Sequence, residues 1–339
     1  MDPLTLTSAD ILGATRPELV FGFGDCESVF KSLRRKWHPD RNDDPKATEV
    51  FCRLQELFDH IGSYLIYVSK GCEYNFKQRC VTRFLLGDIY HHEGGIAIVL
   101  DEDKVKFSKV LQDNLKRIHT CYSSANSDLK KMIDDLVPVL HRESDDGRTI
   151  VLKFPAQCKG AVNLSLLINS QGGKLEPRVV AWIISRMFNY AMIMQKAGLI
   201  NNAFSPEHFW INLKDHSGFD PLSLFFATGF NEKLRVLTGE GQLCLPAESL
   251  AKKVSHPVID IRLIKKAGIR ALGDTSGSGM SLDKDIPEAL RTWLRSTTPT
   301  ESKVLDVYKD WQERVLNDAF GKRSFYKWEV DPLSVMQSK

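Results

Sequence analysis

Apolar residues recur at helical spacing within the first 68 residues of the chain. Phe30, Leu33 and Trp37 fall at i, i+3 and i+7, which puts them on one face of a helix predicted over 27–37. A second helix is predicted over 46–61, where five apolar residues share a stripe: Phe51, Leu54, Leu57, Phe58 and Ile61. The two stripes predict an antiparallel helical pair joined by a short polar loop.

The first of these helices also has a basic face. It must end near His38, because Pro39 disfavours helical dihedrals in the residue that precedes it. Basic residues lie on this helix and directly after it: Lys31, Arg34, Arg35, Lys36 and Arg41. A surface of this kind favours an acidic partner and raises the rate of association with it.

From residue 75 onward, short β patterns come first and helical patterns follow. Strands are predicted over 81–86, 96–100, 105–111, 149–154, 209–213 and 222–226. Helices are predicted over 127–140 and 176–197, and over most of the chain after residue 246. This order is typical of an α+β lobe followed by a helical lobe. The predicted fold class is therefore α+β, behind an all-helical N-terminal domain.

The composition is that of an ordinary globular protein and favours two domains. The 339 residues are 42% hydrophobic with a net charge of +3, which argues against a general nucleic-acid or membrane-surface footprint. Seven cysteines without a Cys-x-x-Cys pair argue against a zinc ribbon or a disulfide framework. Polar residues interrupt the most apolar segment, 179–200, so a buried helix is predicted there rather than a membrane span. With no secretory signal in view, we expect a cytoplasmic protein without nucleic-acid or membrane partners.

The common catalytic motifs are absent from the sequence. Gly-x-Ser-x-Gly, the Walker A loop and His-Glu-x-x-His do not occur. His91, His92 and Glu93 lie in a predicted turn, and without a further ligand nearby a surface loop is favoured over a metal site. We therefore expect neither a metal nor a cofactor.

The loop between the two N-terminal helices contains His38-Pro39-Asp40. With its flanking apolar residues, this tripeptide closely resembles the J-domain of DnaJ-type co-chaperones, and residues 10–13 resemble the end of that family's short first helix. The resemblance implies that residues 1–68 bind a nucleotide-bound DnaK-type chaperone and trigger its ATP hydrolysis. The implied contact surface is the tripeptide together with the basic residues beside it. A rigid loop that presents the Asp40 carboxylate suits a charge-assisted bond to a partner arginine.

Residues 79–335, after a predicted linker over 69–78, resemble a protein kinase. They look most like the kinase-like domain that is fused behind a J-domain in some bacterial and phage proteins. Gly94 and Gly95 fall where a glycine-rich loop would cover the phosphates, and Lys109 falls where the strand lysine would lie. Asp260 resembles the aspartate that supports the catalytic region in this family.

Departures from the kinase pattern predict a pseudokinase. When the chain is aligned at Pro206, Ala203 takes the place of the catalytic aspartate and His208 that of the metal-binding asparagine. The segment 225–229, where the magnesium-binding aspartate is expected, contains no carboxylate. A vestigial nucleotide site would then comprise Gly94, Gly95, Lys109, Ala203 and His208.

The resulting hypothesis is a co-chaperone that recruits and stimulates a DnaK-type chaperone. Its pseudokinase domain would bind a client or partner protein and perform no catalysis. One alternative is a divergent Ser/Thr kinase that uses Lys109 with an acid such as Asp215 or Asp220. The other alternative is an interaction protein that captures a host chaperone without stimulating it.

Overall fold

The computed structural model separates the chain into two compact units, Met1–Gln78 and Arg79–Lys339. We call them the N-terminal unit and the C-terminal unit, and each has its own cluster of buried apolar side chains. The residues that the structure describes are 5–14, 17–21, 26–59, 64–77, 80–92, 94–123, 125–155, 160–214, 217–234, 244–322 and 335.

The N-terminal unit is mainly helical. Its helices are α1 (Ser8–Gly13), α2 (Glu18–Phe21), α3 (Cys26–Lys36) and α4 (Ala47–Asp59). The predicted helical pair corresponds to α3 and α4, whose apolar stripes are buried: Phe30, Leu33 and Trp37 on one side, Val50, Leu54 and Leu57 on the other. The rings of Phe30 and Phe58 stack with centroids 3.7 Å apart, which brings the two stripes together.

The predicted linker over 69–78 is not an unstructured connection. Strands β1 (Tyr64–Ser69) and β2 (Cys72–Lys77) pair in an antiparallel hairpin. Lys70 and Gly71 form its two-residue turn with φ values of 52° and 70°, as a tight hairpin turn requires. The aromatic and β-branched residues of β1 favour a strand, and this signal overrides the polar character of the segment after residue 69.

A five-stranded antiparallel sheet forms the first part of the C-terminal unit, in the order β3-β4-β5-β7-β6. The strands are β3 (Cys80–Phe84), β4 (Gly87–His92), β5 (Gly95–Leu100), β6 (Val139–Glu143) and β7 (Thr149–Lys153). The predicted strands over 81–86, 96–100 and 149–154 are confirmed as β3, β5 and β7. The sequence patterns missed β4, which lies between the predicted strands over 81–86 and 96–100.

Two predictions for the region between β5 and β7 were wrong. The expected strand over 105–111 belongs to helix α5 (Phe107–Tyr122), because its buried residues repeat every three or four positions: Phe107, Leu111, Leu115, Ile118 and Tyr122. The expected helix over 127–140 is shorter, α6 (Ser127–Asp134), because Pro138 stops helical extension and β6 follows.

The second part of the C-terminal unit is mainly helical, as predicted. Its helices are α7 (Leu164–Ser170), α8 (Pro177–Lys196), α9 (Ala247–Lys252), α10 (Val258–Ala271), α11 (Glu288–Arg295), α12 (Val304–Asp310), a π-helical turn (Trp311–Val315) and α13 (Leu316–Phe320). The central helix α8 is buried along most of its length. Gly268 lets α10 approach α8 closely, since a Cβ there would lie 2.6 Å from Ile184 Cδ1.

Three short strands lie next to these helices in the order β10-β9-β8. They are β8 (Val162–Asn163), β9 (Trp210–Asn212) and β10 (Ser217–Phe219). The strand predicted over 209–213 is confirmed as β9, whereas the strand predicted over 222–226 was wrong. That segment contains a 3₁₀ turn (Ser223–Phe225), because Asp220 Oδ1 accepts from the Ser223 backbone N–H at 2.9 Å and bends the chain.

The buried apolar helices of the structure do not suit a bilayer. Among the helices of the described ranges, none has both the length and the uninterrupted apolar run that crossing a membrane requires.

Leu33 is fully buried between α3 and α4, so its replacement tests the packing of this pair. We expect Leu33→Ala to lower the local free energy of opening of α3 and α4 by about 2–5 kcal/mol. Hydrogen exchange of the α3 and α4 amides measures this change. The control is Leu305→Ala, where the side chain is 50% exposed and the effect should stay below about 1 kcal/mol. Equal protection in both variants would contradict the packing.

Candidate functional site

The loop after α3 is built by hydrogen bonds from its own polar side chains. Asn42 Nδ2 donates to the Lys36 carbonyl at 2.9 Å and so caps the end of α3. Asn42 Oδ1 accepts from the Asp44 backbone N–H at 2.9 Å, and Asp44 Oδ1 accepts from that of Lys46 at 2.8 Å. These turns lead directly into α4 and fix the path of the loop over 37–46.

This loop presents the predicted tripeptide to solvent. His38 Nδ1 accepts from the Asp40 backbone N–H at 3.2 Å, and its ring lies edge-on to Phe51 with centroids 5.4 Å apart. The Asp40 side chain is 86% exposed, and Pro39 is exposed as well. The histidine therefore orders the turn, while the Asp40 carboxylate is accessible to a partner.

The predicted basic residues divide into two groups. Arg34 lies over the rings of Phe30 and Phe51, 5.3 and 4.6 Å from their centroids, so its guanidinium packs on its own unit. Lys36 Nζ donates to the Leu6 carbonyl at 3.1 Å. Lys36 is nevertheless exposed, as are Lys31, Arg35 and Arg41. These four residues supply most of the positive charge that a partner can reach.

In the C-terminal unit, the segment 201–209 connects α8 to β9, and one carboxyl group holds its first turn. The backbone N–H groups of Asn201 and Asn202 donate to Asp260 Oδ2 at 3.1 Å and to Oδ1 at 2.9 Å. Asp260 is fully buried on α10, and this burial raises its pKa to about 7. Both oxygens of the carboxyl group are thus engaged in fixing the turn.

The Asn202 side chain extends this support to two neighbouring segments. Its backbone has a φ of 63°, a left-handed conformation that asparagine tolerates better than most residues. Its Nδ2 donates to the Ile200 carbonyl and to Thr228 Oγ1, both at 3.0 Å, and its Oδ1 accepts from Ser255 Oγ at 2.7 Å. The turn is therefore tied to the segments that precede α10 and follow β10.

Ala203 and His208 both lie in this segment. A hydrogen bond of 2.8 Å joins His208 Nδ1 and the Ala203 carbonyl, and both residues are buried. The His208 ring stacks on Phe226 with centroids 5.6 Å apart. Ala203 and His208 thus contribute a hydrogen bond and a ring stack to this segment, and neither side chain is a carboxylate.

Asp220 directly follows β10 and is fully buried. Its Oδ1 accepts from the Ser223 N–H, whereas Oδ2 has no hydrogen-bond partner among the residues that the structure describes. Burial raises the pKa of this carboxyl well above its usual value, and the nearby Asp260 adds to the effect. The fold thus favours the protonated form of this carboxyl more than water does.

Aromatic rings fill the junction between the five-stranded sheet and the helical part. Trp210 on β9 is fully buried, with its ring 5.7 Å from His91 on β4 and 6.2 Å from Phe154. Phe154 in turn packs edge-on against Phe219 at 4.8 Å. A second contact joins Phe84 on β3 to the Phe225 ring at 5.9 Å. These rings pack the sheet against the helical part, and a cavity of about 280 Å³ lined by Phe84 remains beside them.

Helix α5 is hydrogen-bonded to the helical part at several points. Asn114 Nδ2 donates to the carbonyls of Leu224 at 2.8 Å and Ala227 at 2.9 Å. One turn later, Arg117 Nε donates to the Ala197 carbonyl at 3.0 Å. The hydroxyl of Tyr122 donates to a carbonyl of α8 at 3.0 Å. These bonds fix α5 against the segments that precede and follow the site.

Comparison with known proteins identifies the fold. No protein-family model matches the chain, and no curated protein sequence matches it. A solved structure titled "Structure of vaccinia related kinase 3" is similar to it, with a TM-score of 0.51 and 14% sequence identity over 80% of this chain and 93% of that one. The fold is protein-kinase-like. An identity this low supports the fold and nothing finer.

The kinase-like fold corrects the expected place of the glycine-rich loop. Gly94 and Gly95 join β4 to β5, whereas the first hairpin turn, between β3 and β4, is Leu85-Leu86. The position of Gly95 requires glycine for another reason, because a Cβ there would overlap the Leu152 carbonyl oxygen on β7. Gly95 therefore allows close strand packing, whereas a Cβ at Gly94 would meet open space.

Lys109 is also not where the sequence predicted it. It lies on α5, is 74% exposed, and pairs with Asp113 at 3.1 Å one turn further along the helix. The third strand of the sheet, β5 (Gly95–Leu100), contains no lysine. In protein kinases, the phosphate-binding lysine lies on the third strand. Lys109 is thus a surface residue of a helix.

The predicted position of the magnesium-binding aspartate, 225–229, lies too far along the chain. Because β10 ends at Phe219, the residue that directly follows the strand is Asp220, and 225–229 lies beyond the 3₁₀ turn. A carboxyl group is therefore present close to this position, contrary to the expectation, but it is fully buried. Asp215 lies outside the described residues. Across the described ranges, no group of three His, Cys, Asp or Glu side chains could hold a metal ion.

The buried Asp260 predicts a stability that falls as the pH rises. Its pKa of about 7 in the folded protein exceeds the ordinary 3.8, so the folded state binds more protons between these values. From pH 5 to pH 7.5, its contribution to the free energy of unfolding should drop by on the order of 2 kcal/mol. Asp220 contributes with the same sign. Urea denaturation at the two pH values measures the change.

The comparison is made with Asp260→Asn, which has no carboxyl proton to lose. Its free energy of unfolding should vary less with pH than that of the wild type. At pH 5 it should be lower by about 1–3 kcal/mol, because an amide nitrogen then faces one of the two backbone N–H groups. Asp285→Asn, at an exposed position, is the control that should keep the wild-type slope. Equal slopes for wild type and Asp260→Asn would contradict the assignment.

Proposed function

We propose that the chain is a J-domain-type co-chaperone whose kinase-like unit is a binding scaffold without phosphotransferase activity. The observation that carries the proposal is the exposed turn at His38, Pro39 and Asp40, built by capping and ring contacts between two packed helices. A turn fixed in this way needs little ordering on binding, which favours its use as a contact element.

The chemistry of this surface suits a DnaK-type chaperone with an acidic contact region. Lys31, Arg35 and Arg41 are exposed and would accelerate the encounter through long-range attraction. The Asp40 carboxylate would then form a charge-assisted hydrogen bond to a cationic side chain of the chaperone. In this proposal, the contact couples to the ATPase cycle of the chaperone, and the N-terminal unit itself performs no chemistry.

Several features of the C-terminal unit support a scaffold rather than a kinase. Phosphoryl transfer needs a lysine on the third strand, a catalytic aspartate and exposed magnesium ligands. Here β5 has no lysine, Ala203 has no carboxylate, and Asp220 is fully buried with a raised carboxyl pKa. Buried rings around Trp210 pack between the five-stranded sheet and the helical part.

The kinase alternative rests on the kinase-like fold alone. It would need Lys109 near the site, but that side chain is exposed on α5 and paired with Asp113. The remaining alternative is a protein that binds a chaperone without stimulating it. It uses the same exposed turn, so both functions require binding to the chaperone. They differ in whether the chaperone's ATP hydrolysis is accelerated.

The decisive experiment is single-turnover ATP hydrolysis by a DnaK-type chaperone with the full chain. We expect wild type to accelerate hydrolysis and His38→Gln to abolish the acceleration, because the turn loses its ordering contact. His119→Gln, an exposed histidine on α5, is the matched control and should behave as wild type. A wild-type chain that binds the chaperone without acceleration favours the capture alternative. No binding at all would reject the proposal.

A second experiment tests the scaffold assignment through nucleotide binding. We expect no saturable binding of a fluorescent ATP analogue with magnesium, because Ala203 supplies no carboxylate and the fully buried Asp220 is not accessible to the metal. Trp210→Leu, which shortens the largest ring, tests whether space is the barrier. Saturable binding to the wild type, with phosphate transfer to a protein substrate, would favour the kinase alternative.

A further inference from the structure

Lys265 on α10 borders two cavities of the C-terminal unit. One, of about 450 Å³, is lined by α10, by the loop that follows α10 and by the segment that follows α11. The other, of about 370 Å³, is lined by the same segment and by α12. Lys265, Ser296 and Thr298 line both cavities. The lysine is only 7% exposed, so it is shielded from bulk solvent and yet lies beside space for a small molecule.

The side-chain nitrogen of Lys265 makes two hydrogen bonds, both to neutral oxygens. Nζ donates to the Ser296 carbonyl at 3.0 Å and to Ser296 Oγ at 2.9 Å. Ser296 Oγ accepts here, because its own hydrogen goes to the Trp293 carbonyl at 2.7 Å. A neutral amine has two N–H groups, so it can keep both bonds and leave its lone pair unused. Loss of a proton from Lys265 therefore breaks neither hydrogen bond.

Charged groups of both signs border the two cavities. Arg262, Lys266 and the Cys244 thiol line the first cavity, and Glu301, Lys303, Asp306, Asp310 and Arg314 line the second. Within the described ranges, none of the carboxylates is within ion-pair distance of Lys265 Nζ. Asp310 acts on the lysine through its charge, while both of its oxygens accept from Arg314 at 2.7 Å. The ammonium of Lys265 is therefore not fixed by a direct ion pair.

This environment favours the neutral amine more than water does. Burial lowers the pKa of Lys265 to about 8, although the charge of Asp310 and the Trp293 ring, 4.6 Å from Nζ, both favour the ammonium. At pH 7.5, roughly a quarter of the Lys265 side chains are then neutral, against on the order of 0.1% for an exposed lysine. The neutral amine is the nucleophilic form of lysine.

We propose that Lys265 is an acylation site, at which the amine accepts a short acyl group from a small acyl phosphate. Nζ attacks the carbonyl carbon, the bond from that carbon to the bridging phosphate oxygen breaks, and inorganic phosphate leaves with the electron pair. The nitrogen then loses a proton to water and becomes a neutral amide. Thr298 Oγ1 lines the same cavities, is buried and has no hydrogen-bond partner among the described residues, so it can donate to the oxyanion of the addition step.

Two other products of a reactive lysine fit this site less well. A neutral imine, formed with an aldehyde, has no N–H and would lose both bonds to Ser296, whereas an amide keeps one of them. A carbamate, formed with carbon dioxide, would add a negative charge beside Glu301, Asp306 and Asp310. Acylation requires neither chaperone binding nor kinase chemistry, so this inference is independent of the proposed function.

The test is labelling of the full chain with acetyl phosphate, followed by mass spectrometry with fragment ions that separate Lys265 from Lys266. Lys284, at an exposed position, is the internal reference. We expect Lys265 to be acetylated about tenfold faster than Lys284, or more, at pH 7.5. The Lys265 rate should level off above the pKa of about 8, while the Lys284 rate keeps rising. A Lys265 rate no higher than that of Lys284, or the same pH profile for both, would overturn the proposal.

A larger donor tests the choice of an acyl phosphate. Acetyl coenzyme A transfers the same acetyl group but carries a leaving group too large for cavities of about 370 and 450 Å³. Relative to Lys284, we expect Lys265 to react several times more slowly with acetyl coenzyme A than with acetyl phosphate. The opposite order would overturn the acyl phosphate as donor.

Variants test the electrostatic environment of Lys265. Asp310→Asn removes the charge that favours the ammonium, so the midpoint of the pH profile should fall and acetylation at pH 7 should rise by about two- to fivefold. Glu313→Gln, exposed on the π-helical turn, is the matched control and should label as wild type does. Lys265→Arg should lose the fast-labelled site. Circular dichroism checks each fold, and the wild-type pH profile decides the matter if Asp310→Asn does not fold. An unchanged midpoint in folded Asp310→Asn would overturn the proposal.

Discussion

The architecture around the kinase-like site depends on one buried carboxyl group. Asp260 accepts the backbone N–H groups of two consecutive residues and so converts the end of α8 into a fixed turn. The turn positions three features: the left-handed Asn202, the hydrogen bond between His208 and Ala203, and β9 with its buried Trp210. The role of this acid needs no substrate, because both of its oxygens accept main-chain N–H groups.

Long amphipathic helices were predictable from the sequence, whereas short elements were not. The stripes of α3 and α4, and the apolar run of α8, have the right period over three turns or more and can form only one kind of element. The segment that begins α5 failed this test, because Val105 and Val110 suggest a strand when only seven residues are considered. Its helical period becomes visible only when the window extends to Tyr122.

The predictability of the site residues also depended on how close together they lie along the chain. Ala203 and His208 can be placed together from the sequence because they are close along the chain, whereas Asp260 reaches their segment only through hydrogen bonds from a distant helix. Gly94 and Gly95 were misplaced by one strand, because the sheet contains β4, which the patterns did not resolve, and Lys109 was misplaced because its segment is a helix. The rings of His91, Phe154 and Trp210 could not be predicted as a group, because they come from distant parts of the chain and meet only in the folded unit.

The anchoring of α5 has a consequence for the surface of the C-terminal unit. A kinase that moves this helix changes its surface with its nucleotide state. Here Asn114, Arg117 and Tyr122 hold the helix by bonds to main-chain carbonyls, whose strength is independent of any ligand. The surface that α5 and its neighbours present would therefore stay the same at high and at low cellular concentrations of ATP. Regulation would then have to come from the abundance of the protein or from its partners.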